Sequence, residues 1–126
     1  MKLSTVMVAN AVVAFLFGLS LILAPAQLLS LYGMTMDAAG ILVARLFGAS
    51  LIGYGLLTWL ARNLVDDEVR RTIVTALFGG FAVGFVVSLI GQLSGVANAL
   101  GWSTVALYGL FTAAYGYFRF IKPSAG

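Results

Sequence analysis

Apolar residues run along this chain in long, almost unbroken blocks, and the polar residues collect into short intervals between them. The pattern shows neither the alternation of a half-buried strand nor the single apolar stripe of a soluble helix, and a run of about 20 apolar residues is the length that spans a bilayer. Four stretches qualify: Thr5–Ala24, Ala38–Leu60, Thr72–Leu93 and Val96–Phe120. The second and fourth include polar residues, but turn or charge signals bound each of them. The expected fold is all-α, a single integral membrane domain over residues 1–126 built as a four-helix up-down bundle.

The intervals refine this picture. Pro25 ends or kinks the first helix, because proline has no N–H to donate. The AQLLSLYG that follows is too short to span and is expected at the membrane interface, with Tyr32 at headgroup level. Lys2, the first apolar run and Ala24-Pro25-Ala26 together imitate a secretory signal with an A-x-A cleavage site. A run of about 20 residues is long for such a signal, so it is read as the first span. In ARNLVDDEVRRT, Asp66, Asp67 and Glu68 stand where the third long helix begins, and Asp66/Arg70 and Asp67/Arg71 have i,i+4 spacing. Capping, dipole compensation and helix-surface pairing explain these acids better than a cation site does.

Composition agrees with the pattern. The chain is 62% hydrophobic and 9% charged, a balance that no soluble domain of this length could cover with polar surface. Its basic residues also fall on one side. Lys2 precedes the first span, Arg62, Arg70 and Arg71 lie between the second and third, and Arg119 and Lys122 close the fourth. Segments 25–37 and 94–95 contain no Lys or Arg, so the positive-inside rule puts both termini and the 61–71 loop in the cytoplasm. The formal charge of +3 is too small and dispersed to suggest nucleic acid. Neither Cys nor His is present, which excludes thiol catalysis, imidazole bases, Cys/His zinc sites and the usual haem or iron–sulfur ligands. No metal or cofactor is expected.

Shifting the sequence by 61 residues superimposes several short matches. Leu16-Phe17-Gly18 meets Leu77-Phe78-Gly79, Asp37 meets Asn98, Leu46-Phe47-Gly48 meets Leu107-Tyr108-Gly109, and Tyr54-Gly55 meets Tyr115-Gly116. Two repeated helical hairpins, related by an axis along the membrane normal, are one reading; chance matching in a chain rich in Leu, Gly and Ala is the other. Small residues supply the expected packing positions: Gly80, Gly84 and Ser88 on the third span, Gly48 on the second and Gly109 on the fourth. These serve packing within one bundle or between copies.

The residue that stands out is Arg45, inside LVARLFGASLIGYG. It lies about 10 Å into the second span and shares a face with Gly48 and Ala49, so its guanidinium rises toward the outer surface. Gln92, Asn98 and Trp102, together with Gln27 and Asp37 from the other outer connection, are expected at a similar level. Three readings stand open. Arg45 snorkels or pairs with Asp37; it donates to carbonyls at the end of the third span, around Ile90 to Leu93; or it holds an anionic or carbonyl-bearing ligand with those neighbours.

Several motifs carry a family resemblance: Pro25-x-x-Leu28-Leu29-x-x-Tyr32-Gly33, Ala44-Arg45-Leu46-Phe47-Gly48, Trp59-Leu60-Ala61-Arg62 and Asn98-x-x-Gly101-Trp102. Through them the chain resembles small prokaryotic four-helix membrane proteins, loosely DoxX-like. The resemblance implies a multi-pass protein of the prokaryotic inner membrane, acting beside membrane oxidoreductases or quinones, and it carries over no catalytic residue. Small multidrug exporters need an acid in their first helix, and Thr5–Ala24 has none. Fluoride channels differ in the third helix, which here reads LFGGFAVGFVVSLIG. The expected function is therefore non-enzymatic: a scaffold or accessory subunit of a membrane complex, with lipids as partners and a lipid or quinone near Arg45. A small-solute or ion transporter or channel, working as a homo-oligomer, is the alternative.

Overall fold

A computed structural model describes residues 2–121 of the chain. Among these residues the secondary structure is helical throughout, with no strand. The helices are α1 (Leu3–Leu23), α2 (Pro25–Leu31), α3 (Ala38–Ala61), α4 (Asp67–Leu93) and α5 (Gly101–Gly116); α5 continues as a π turn over Tyr117–Ile121. Helices α1, α3 and α4 are long and apolar enough to cross a membrane.

Two antiparallel hairpins, α1 with α3 and α4 with α5, form the main packing units, and α1 meets α5 between them. One end of the molecule carries Lys2, Arg62, Arg70, Arg71 and Arg119 and is called the basic end; the opposite end holds the 24–37 and 94–100 connections and is called the turn end. The core lies toward the basic end, where Leu3, Val6 and Met7 of α1 pack with Val74 and Leu77 of α4 and Phe111, Tyr115 and Phe118 of the last helix. Phe81 stacks on Phe111 and Tyr115 across this cluster, with ring centroids 5.1 and 5.8 Å away. Asn10, buried in α1, donates from Nδ2 to the Tyr115 hydroxyl at 2.7 Å and ties the two hairpins. Apolar side chains face outward along α3, among them Leu42, Val43, Leu46, Phe47 and Leu60, and along α4, among them Val83, Val86, Val87 and Ile90.

Glycines set the helix separations. A Cβ on Gly48 would stand 2.8 Å from the Gly18 carbonyl oxygen, and one on Gly18 would stand 2.9 Å from the Gly48 oxygen, so α1 and α3 cross backbone to backbone. Gly55 accepts the Phe15 ring, Gly84 the Tyr108 ring and Gly109 the Phe85 ring. Gly80 is exposed and has only the Tyr54 hydroxyl nearby, and Ser88 turns its hydroxyl onto the Phe85 carbonyl at 3.1 Å. Of the expected packing positions, Gly48, Gly84 and Gly109 are thus close helix contacts within the chain.

The 61-residue offset relates elements as well as residues. Carried forward by it, α1 and α2 together fall on α4, with Val86 in place of Pro25. Without a proline, α4 runs unbroken for 27 residues, whereas the first hairpin breaks at Ala24 (φ −145°, ψ 59°) and restarts as α2. Both stretches close alike. Gly33 (φ 75°) and Gly95 (φ 76°) take the left-handed conformation after α2 and α4, and paired reverse bonds close each end: Met34 N to Leu29 O with Gly33 N to Ser30 O, and Val96 N to Gly91 O with Gly95 N to Gln92 O.

The last helix begins at Gly101 rather than at Val96. The Gly95 reversal and the Asn98 turn occupy the residues between, and Gly101 N is bonded to Asn98 O at 2.9 Å. Helix α5 itself has 16 residues, and the 5-residue π turn extends it to Ile121.

Candidate functional site

Arg45 sits near the turn end of α3, and its position follows from the break in the first hairpin. Pro25 and the non-helical Ala24 stop α1, so the carbonyls of its last turn lose the amide donors that a continuing helix would bring. The Gly18–Gly48 crossing, one turn from Arg45, holds α3 close to that helix end. Arg45 Nε then donates to the Ile22 carbonyl at 3.2 Å. A guanidinium at the carbonyl end of a helix is also favoured by the helix dipole. Arg45 is exposed, and among the described residues Ile22 is the acceptor that the structure gives it.

The expectation of helix-end carbonyls therefore meets a carbonyl of α1, not of α4. The α4 end is already served: Ser94 N and Ser94 Oγ both donate to the Ile90 oxygen, at 3.0 and 2.8 Å, and the Gly95 closure takes the Gly91 and Gln92 oxygens. Asp37 is likewise committed elsewhere. Its carboxylate caps α3 by accepting from Gly40 N at 2.8 Å, and among the described residues it makes no ion pair with Arg45.

Gln92 and Asn98 are brought together, as a girder between the hairpins. Gln92 Nε2 donates to the Asn98 carbonyl at 3.0 Å. Asn98 Nδ2 donates to Leu31 O at 3.1 Å, its backbone N–H donates to Tyr32 O at 2.9 Å, and its Oδ1 accepts from Leu100 N at 3.0 Å. One asparagine thus fastens the end of α2 to the start of α5. Trp102 stands half-exposed on the first turn of α5. Gln27 lies on α2 and lines an open groove of about 530 Å³ with Leu19, Ser20, Leu23, Ala24, Leu28 and Leu31; Arg45 is not part of that lining. The polar residues expected around one pocket therefore divide into an Arg45–Ile22 contact, an Asp37 cap, the Gln92–Asn98 girder and the Gln27 groove.

At the basic end Arg62 lies over the Trp59 ring, 3.8 Å from its centroid, and donates to the Trp59 carbonyl. Arg119 Nε donates to Thr75 Oγ1 at 2.6 Å, and Arg70 pairs with Asp67 at 3.8 Å. The sequence signals for that end were the charges themselves, but their convergence required knowing that the π turn brings Arg119 back onto α4. Among the described residues no group of three His, Cys, Asp or Glu side chains could hold a metal ion.

The family described as a domain of unknown function (DUF8292) matches the chain over residues 1–121. No curated protein and no solved structure matches it.

Proposed function

The chain belongs to the DUF8292 family, and we propose that it is a non-enzymatic multi-pass membrane protein, a scaffold or accessory subunit that holds a lipid or quinone at Arg45. In this reading α1, α3, α4 and α5 with its π turn are four spans of one bundle in a prokaryotic inner membrane. The basic end is cytoplasmic and the turn end faces outward, because Lys and Arg gather at the former. The DoxX-like resemblance rests on the short motifs alone and adds the quinone option.

The carrying observation is Arg45 itself, an exposed residue inside an apolar helix whose Nε donates to Ile22 O at 3.2 Å. Arginine has five N–H donors in a fixed fork, and hydrocarbon offers them nothing. A phosphate ester, a quinone carbonyl or a carbonyl of a partner helix satisfies them at this depth. Replacing Arg45 by leucine should leave the protein inserted and folded yet reduce retention of lipid or quinone through mild detergent extraction, read by native mass spectrometry. Unchanged retention refutes the site.

The transporter alternative gains little support from the interior. Ser20, Ser50, Thr58, Ser88 and Thr112 each return their hydroxyl to a carbonyl three or four residues earlier in their own helix, and Asn10 is bonded to Tyr115. A polar path through one copy would need such groups turned toward each other at several depths. A ligand-free oligomer that conducts ions in liposomes favours this alternative over the accessory reading.

A further inference from the structure

Three arginines from two distant parts of the chain meet in one cleft at the basic end. Arg70 and Arg71 on the second turn of α4 and Arg119 on the π turn line it, with Leu3, Val74 and Phe118 forming its apolar floor. The room inside is about 10 Å³, the space of one water-sized group such as a single phosphate oxygen. We propose that this cleft takes one oxygen of the phosphate of an anionic membrane lipid, with the rest of the phosphate at its mouth. The proposal uses the membrane reading above but is independent of Arg45.

Local geometry prepares the cleft. The π turn winds Tyr117–Ile121 more loosely than an α-helix, and Arg119 Nε is held by Thr75 Oγ1 at 2.6 Å, which fixes the plane of its guanidinium against α4. Arg70 is largely buried and pairs with Asp67 at 3.8 Å, while Arg71 is exposed at the rim. None of the nearby acids lines the cleft. Asp67 offsets one arginine, Asp66 spends its Oδ1 on the Val69 amide at 3.0 Å, and Glu68 lies exposed on the first turn of α4. Arg71 and Arg119 make no ion pair among the described residues, and planar donor forks match the oxygens of a phosphate.

The surroundings select a lipid over a free ion. Phe120 and Ile121 beside Arg119, and Val69 beside Arg70, are exposed apolar side chains against which acyl chains can lie. A soluble anion gains nothing from them. Basic pockets between helices at the cytoplasmic surface attract anionic headgroups, at about fivefold in affinity for each arginine engaged.

The test is native mass spectrometry of the full chain in detergent, titrated with phosphatidylglycerol, with phosphatidylcholine of the same acyl chains, and with phosphatidylglycerol in the presence of inorganic phosphate. Phosphatidylglycerol should bind in preference to phosphatidylcholine. Arg71→Gln, an exposed position that leaves the core intact, should weaken phosphatidylglycerol about fivefold, and Arg71→Gln with Arg119→Gln further, while Arg62→Gln, equal in charge but outside the cleft, should not. Circular dichroism confirms that the variants keep their helices; should the double variant unfold, the single Arg71→Gln decides. Equal binding of the two lipids, or wild-type retention by Arg71→Gln, overturns the proposal. Displacement by inorganic phosphate overturns the lipid assignment, since it would show that the phosphate group alone is recognised.

Discussion

Replacing Gly48 by alanine probes the crossing that holds Arg45 against α1. The new Cβ would lie 2.8 Å from Gly18 O, 3.0 Å from Leu21 Cβ and 3.1 Å from Ile22 Cγ1. The first of these is backbone and cannot rotate away. Relief to an ordinary contact of about 3.5 Å therefore requires α1 and α3 to part by roughly 0.7 Å, and a gap of that size forfeits a quarter to a half of the dispersion energy along the seam. Overpacking of this kind costs about 1–3 kcal/mol. Alanine's better helix propensity returns about 1 kcal/mol, so the net loss should reach about 2 kcal/mol. Gly53→Ala and Gly79→Ala provide the controls, because nothing lies within 4 Å of a Cβ at either position. Unfolding in mixed micelles, followed by helical circular dichroism, should show Gly48→Ala destabilised and both controls neutral or slightly stabilised. If Gly48→Ala is as mild as Gly53→Ala, the backbone crossing is wrong, and with it the account of how Arg45 reaches Ile22.

Three further outcomes follow from other parts of the structure. Asn10→Ala strands the buried Tyr115 hydroxyl and should cost about 1–3 kcal/mol. A cycle with Tyr115→Phe should give a coupling near 0.6 kcal/mol, the usual size for hydrogen bonds between membrane helices, and a coupling of zero would mean the bond is absent. Asn98→Ala removes the side-chain link to Leu31, so hydrogen exchange should quicken in 32–36 and 96–100 while exchange in α1 stays unchanged; uniform acceleration would contradict a local girder. The chain contains no Cys, so single cysteines report topology cleanly. Cysteine at Thr35 should react with an impermeant maleimide from outside the cell, and cysteine at Asn63 only after permeabilisation; the opposite result reverses the orientation.

Helix positions were legible in the sequence because apolar length alone decides them. Ala38–Leu60 and Thr72–Leu93 lie within α3 and α4, and Pro25 stops α1 as its chemistry requires. Val96–Phe120 was misplaced at its start, since Val96 and Ala97 are apolar and the turn is set by Gly95 and Asn98, whose bonds reach a segment more than sixty residues away. Arg45 shows the same limit from another side. Its charge and depth could be read, and so could the need for carbonyl acceptors. Which helix would offer them depended on a vacancy made by Pro25, and on the Gly18–Gly48 approach that brings that vacancy within reach. Neither residue announces the other by spacing. The gathering of Gln27 and Asp37 around Arg45 was inferred from depth alone, and depth cannot distinguish the sides of a helix.

The distribution of unspent polar groups bears directly on what the molecule does. In mid-span the serine and threonine hydroxyls bond back to their own helices, and Asn10 and Tyr115 satisfy each other. Among the described residues, charged donors persist at two levels, around Arg45 toward the turn end and around Arg71 and Arg119 at the basic end. In the membrane reading proposed above, both levels lie within reach of lipid headgroups. On that reading the cations border the lipid, and specificity comes from what lies beside the bundle. That favours recognition of lipid, quinone or a neighbouring helix over conduction, and it makes the two arginine sites separable: loss of Arg45 should leave the basic cleft loaded, and loss of Arg71 should leave Arg45 bonded to Ile22.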